Sequence, residues 1–199
     1  MIYDTWRHYG GVRYSIFWSP YSHQHLLKKR YIHLVPSGTK PHGILANTYT
    51  QITIHVVFAV KHRQNLIQPE WELKLYKYIF GIVQNCGHRL LQINGVKDHI
   101  HLLIGMKPTQ SLSDLIKQVK QHSSKWINEE GLTPTRFAWQ AGFGAFSYAP
   151  SEVKTVARYI ERQKEHHYGQ KSKFHDEYKR LLKEFDIDYS EEYLFKPPE

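Results

Sequence analysis

The segment VKDHIHLLIG, residues 96–105, sets His99 and His101 either side of one aliphatic residue. On a strand, residues two apart point to the same face. His99 and His101 then share one face, and Ile100 and Leu102 take the other. Such a pair either chelates a divalent metal, forms a polar surface, or is a satisfied core pair. As a metal site it needs at least one further protein ligand. ARYIERQKEHH (157–167) contains Tyr159 and Gln163 four apart, a spacing that puts both on one helix face. An amide oxygen suits a hard cation, and a phenol oxygen can act as a nucleophile. The same spacing also describes a core tyrosine followed by a solvated glutamine. His166 and His167 read as cap or surface residues near the helix end.

The elements that must position these groups follow from periodicity. TQITIHVVFAVK (50–61) is β-branched and aromatic, which predicts a strand. Residues 68–87 carry apolar side chains at helical spacing, with Pro69 in the first turn and Gly87 as the stop. RLLQINGVKD and HIHLLIGM form two strands joined by a tight Lys97-Asp98 turn. Ser111 with Asp114 opens a helix that runs to Gly131. Residues 136–148 give a Gly-interrupted strand, residues 151–167 another helix, and FHDEYKRLLKEFDIDY a last short one. The order β-α-β-β-α-β-α predicts an α+β fold. Its economical packing is a ferredoxin-like antiparallel sheet with helices on one face, plus an extra late helix bearing Tyr159.

Composition bounds the class. The chain has 199 residues, 41% of them hydrophobic, enough for a real core, and a formal charge of +9. That charge points to a polyanionic partner. Residues 1–46 hold six Lys and Arg against one acid, and residues 182–199 hold two against six acids. We therefore expect an irregular basic extension over 1–46, a domain over 47–181 and an acidic tail over 182–199. Cys86 is the only cysteine, which excludes an internal disulfide and a cysteine-rich zinc site. No stretch approaches the roughly 18 apolar residues of a membrane span, and the N-terminus lacks a signal-peptide core. The expected location is cytoplasmic.

Taken in order, TQITIHVVFAVK, INGVKDHIHLLI, SLSDLIKQVKQHSSKWIN, WQAGFGAFSY and YIERQKEHH resemble blocks of the HUH single-tyrosine transposases of the insertion-sequence 200/605 type. The resemblance covers residues 47–195, and residues 1–46 stand outside it. It implies that His99 and His101 hold a divalent metal, Mg²⁺ or Mn²⁺, with Gln163 as third ligand. It implies that Tyr159 is the nucleophile and forms a 5′-phosphotyrosine intermediate. The substrate implied is single-stranded DNA with hairpins near the element's ends, cut and rejoined by a homodimer. Lys61, Arg63, Lys117, Lys120 and Lys125 are candidates for phosphate contacts, which are salt-dependent. Two alternatives stay open: a domesticated REP-associated tyrosine transposase, and a non-catalytic ferredoxin-like nucleic-acid-binding module. The second accounts for charge and aromatics but not for His99, His101, Tyr159 and Gln163 together.

Overall fold

The computed structural model describes residues 8–9, 12–13, 49–167, 174–191 and 194, in two units, Met1–Thr48 and Tyr49–Glu199. Within the first, β1 (His8–Tyr9) pairs antiparallel with β2 (Val12–Arg13). The remainder of the expected 1–46 extension lies outside the described residues.

In the second unit, ITIHVVFA supplies the inner strand β3 (Ile52–Ala59), its alternate side chains serving two different faces. There follow α1 (Pro69–Asn85), β4 (Arg89–Gly95), β5 (His99–Met106), α2 (Leu112–Glu129) and β6 (Gly144–Ser147). The Ser111 hydroxyl accepts from the Asp114 N–H and caps α2 as expected. All pairings are antiparallel, and the sheet order is β4-β5-β3-β6. The fold is therefore α+β with the predicted element order.

The two faces of the sheet are both covered. Val56, Phe58, Ile100, Leu102 and Ile104 pack with Leu75, Ile79 and Val83 of α1 and Leu115, Val119 and Ile127 of α2. The opposite face carries His55, Val57, Ala59, His99, His101 and Leu103. The late part of the chain covers it, as α3 (Val153–Glu161), α4 (Gln163–His167) and α5 (Phe174–Glu184). Val156 and Ile160 of α3 pack on Leu103. Phe174, Tyr178, Leu181 and Leu182 of α5 pack on Val57, Ala59 and Phe146.

Two expectations need correction. The helix expected over 151–167 divides at Arg162, whose backbone turns to φ −90, ψ 12. Beside the break, the Glu161 carbonyl accepts from Asn94 Nδ2 at 2.7 Å. At the other end, α5 runs through Leu182 to Glu184, across the expected start of the acidic tail. Leu182 belongs to the apolar stripe that holds α5 on the sheet, and Leu194 packs in the same cluster.

Candidate active site

The period of β5 turns His99 and His101 to the face beneath α3, α4 and α5, and both imidazoles are fully buried. Each ring is held through Nδ1. His99 Nδ1 lies 2.7 Å from Asp98 Oδ1, while Asp98 Oδ2 accepts from Arg63 Nε at 2.8 Å and Nη2 at 2.5 Å. His101 Nδ1 lies 2.9 Å from His55 Nε2, and those two rings stack with centroids 5.2 Å apart. The Nε2 atoms face Glu177, at 3.5 Å for His99 and 3.7 Å for His101.

Glu177 of α5 is the hub. Gln163 Nε2 donates to its Oε1 at 2.9 Å, the Tyr159 hydroxyl donates to the same oxygen, and His167 Nε2 sits 3.1 Å from Oε2. Three buried atoms here have no hydrogen-bond partner among the described residues: His99 Nε2, His101 Nε2 and Gln163 Oε1. Unpaired buried polar atoms are costly. Two imidazole nitrogens and an amide oxygen beside a carboxylate form a donor set for a divalent cation. Ligand atoms of His99, His101 and Glu177 lie within 4.8 Å of one another. The residues therefore fit a metal ion on chemical grounds.

The electrostatics are those of a buried anion among imidazoles. Burial opposes ionisation of Glu177, but the hydrogen bond with His167 and the nearby imidazoles of His99 and His101 outweigh it and hold the carboxyl far below the usual range. Burial likewise disfavours a charged His99, yet Asp98 and Glu177 raise its pKa. His101 is driven well below the ordinary histidine value by burial, and His55 down to about 4 for the same reason. Burial and the Glu177 charge push the Tyr159 phenol above its usual range.

His99, His101, Tyr159 and Gln163 are thus brought to one carboxylate, even though the helix divides between the last two. The candidate DNA contacts separate. Lys61, Lys117 and Lys125 are exposed, Lys125 lying 3.7 Å from Glu129. Arg63 is only 7% exposed and both donors engage Asp98, so its guanidinium is turned inward, away from any surface phosphate. Lys120 is half-buried and donates to the carbonyls of Gln140, at 2.9 Å, and Gly142. His167, read from sequence as a cap or surface residue, instead engages Glu177. Phe137, Trp139 and Phe146 are buried in the core.

Sequence reasoning missed Glu177, His55 and Asp98. Each had a faint signal. Glu177 sits inside the apolar stripe formed by Phe174, Tyr178 and Leu181, and His55 interrupts an aliphatic strand. Asp98 directly precedes the histidine pair. None of these positions suits a polar residue without a partner once it is buried.

Among known proteins, the family described as "Transposase IS200 like" matches residues 48–163. The ISDra2 transposase TnpA of Deinococcus radiodurans is 27% identical over 118 residues, 57% of this chain and 84% of its own length. The transposase for insertion sequence element IS200 of Salmonella typhimurium is 28% identical over 86 residues, 43% of this chain and 57% of its own length. A solved structure of a REP-associated tyrosine transposase bound to a REP hairpin aligns with a TM-score of 0.48 at 13% identity. That alignment covers 65% of this chain and 76% of the other.

Proposed function

The chain belongs to the IS200-like transposase family, and from that membership we propose that it cleaves and rejoins single-stranded DNA at element ends through a 5′-phosphotyrosine on Tyr159, with a divalent metal, Mg²⁺ or Mn²⁺. The observation that carries this reading is that His99 Nε2 and His101 Nε2, both unpartnered, face the one carboxylate, Glu177, to which Gln163 and the Tyr159 hydroxyl are hydrogen-bonded. His99, His101 and Gln163 would hold the metal, with Glu177 adding a carboxylate. When bound, such a cation neutralises a scissile phosphate and favours its attack.

The rest of the chemistry belongs to the chain. The Tyr159 oxygen attacks phosphorus and forms the P–O bond to tyrosine. Its proton is released to solvent as that bond forms, and the hydrogen bond to Glu177 orients the hydroxyl. The bond from phosphorus to the 3′ oxygen breaks, and that oxygen takes a proton from solvent and leaves as a 3′-hydroxyl. Rejoining is the reverse, with a 3′-hydroxyl attacking the phosphotyrosine and Tyr159 leaving. The linkage keeps the energy of the broken phosphodiester, so no nucleotide is consumed. One tyrosine holds one strand end, so joining two ends calls for two active sites, and we assign the active form as a homodimer. Lys61, Lys117 and Lys125 are the exposed cations of the predicted set and serve as phosphate contacts.

The test uses purified protein, Mg²⁺ or Mn²⁺, and labelled single strands spanning the element ends. A protein–DNA adduct on a denaturing gel is expected for wild type and absent for Tyr159→Phe and His99→Ala. Cleavage that persists in Tyr159→Phe would reject the nucleophile and turn the reading to metal-dependent hydrolysis. Binding without cleavage in wild type would turn it to the non-catalytic module.

A further inference from the structure

Neither Asp98 nor His55 figures in the chemistry above, yet both are buried and each touches one of the two metal-site histidines. We infer that Asp98 and His55 are positioning residues, which fix His99 and His101 in the Nδ1–H tautomer and so aim both Nε2 lone pairs into the site. The inference rests on the metal reading above and deepens it.

For His99 the Nδ1 proton is fixed. A carboxylate only accepts, so the 2.7 Å contact with Asp98 Oδ1 requires the proton on His99 Nδ1. The neutral ring then carries its lone pair on Nε2, which is oriented to Glu177. Asp98 is itself immobilised. Its Oδ2 takes both Arg63 donors and leaves Oδ1 for the histidine. Its backbone carbonyl accepts from Val60 N at 2.8 Å. Arg63 reaches this place because His62 and Arg63 both adopt left-handed backbone, each with φ 55. That conformation is unfavourable for residues with a Cβ and persists only where its surroundings enforce it. The Arg63 guanidinium also lies 4.5 Å from the Phe174 ring centroid, and Phe174 stands 4.3 Å from the His99 ring. The turn after β3, the β4–β5 turn and α5 thus close around one imidazole.

For His101 the same logic runs through a neutral partner. Of His101 Nδ1 and His55 Nε2, 2.9 Å apart, one carries the shared proton. With the proton on His101, its Nε2 is free to ligate. With the proton on His55, His101 carries N–H on Nε2 and cannot bind a cation. His55 Nδ1 has no partner among the described residues and can carry the proton that the first arrangement leaves on His55. The two ligands therefore differ: His99 is backed by an anion clamped by arginine, His101 by a neutral imidazole. Such outer partners orient metal-binding histidines and raise their basicity, and removing them weakens metal binding about 10- to 100-fold.

The test has two arms on the full chain. Long-range ¹H–¹⁵N spectra of the metal-free protein report the imidazole tautomers directly, with His99 and His101 assigned from His99→Ala and His101→Ala. Nδ1–H on both rings is expected. A His99 ring protonated on Nε2 alone, with Nδ1 bare, would overturn the inference without any variant. Mn²⁺ titration then compares wild type with Asp98→Ala, Asp98→Asn, His55→Phe and His55→Gln. The expected result is an affinity about 10- to 100-fold weaker for Asp98→Ala and His55→Phe. Asp98→Asn and His55→Gln, which keep an acceptor oxygen, are expected to recover part of that affinity. Wild-type Mn²⁺ affinity in Asp98→Ala and His55→Phe would overturn the positioning role. Wild-type affinity in His99→Ala would instead overturn the metal reading, and the tautomer spectra would still judge Asp98 and His55 on their own.

Discussion

Replacing Gly95 with alanine adds one methyl group at the point where β4 and β5 begin to pair, directly behind the histidines. Gly95 stands opposite Ile100, and Asn94 opposite His101. A Cβ at residue 95 meets Ile100 Cα and Cγ2 at 2.9 Å each, and the His99 carbonyl oxygen closer still. Optimal carbon–carbon separations are about 3.5–4.0 Å, so relief demands a shift of about 0.5–1 Å. Two of the three atoms are backbone, so the shift moves the start of β5 rather than one rotamer. Overpacking of this kind costs about 1–3 kcal/mol. For a domain of this size each kcal/mol lowers Tm by about 2–4 °C, giving a fall of about 2–12 °C. A displacement of about 1 Å in reacting groups costs about 10²-fold in rate, so adduct formation should fall by about that factor at a temperature where the variant is still folded. Differential scanning calorimetry and the gel assay for the Tyr159 adduct read the two effects. Gly105→Ala is the control, since a Cβ there meets Arg89 atoms at 3.6 and 3.7 Å, ordinary van der Waals distances. Gly95→Ala with wild-type Tm and wild-type adduct yield would refute the claim that this close approach positions His99.

Gly144→Ala drives a methyl group into the Tyr178 ring, whose nearest atom lies 2.6 Å away; α5 should loosen, with faster amide exchange along 174–184 than along α2. Ser123→Ala strands the buried Trp139 N–H, which donates to Ser123 Oγ at 2.8 Å, and should cost about 1–3 kcal/mol in denaturant unfolding. Lys120 is lowered from 10.5 to about 8 by burial, so the unfolded chain binds the extra proton between those values. Charged Lys120 then disfavours the fold below pH 8, and stability should rise with pH across that window in wild type relative to Lys120→Met. Removing the charges of Lys61, Lys117 and Lys125 should flatten the dependence of single-strand DNA binding on log salt, by about 0.7 for each phosphate no longer neutralised.

Much of the site was legible because its signals are local. Strand period alone puts His99 and His101 on one face, and helical spacing alone suggests Tyr159 and Gln163 as partners. The element order and the Ser111 cap were equally accessible, since each depends on neighbours within a few residues. What the sequence could not decide is non-local. Both sheet faces are apolar enough to be buried, and no short-range pattern says that α1 and α2 take one face while α3, α4 and α5 take the other. That choice brings Glu177 from the end of the chain onto His99 and His101, and turns Arg63 inward to Asp98. It also sets Asn94 of β4 against the Glu161 carbonyl, where the helix divides at Arg162. The sequence determined which groups were available and which way the histidines face. Only tertiary packing, which must give each buried charge and donor a partner, decided that one carboxylate lies at the centre of them all.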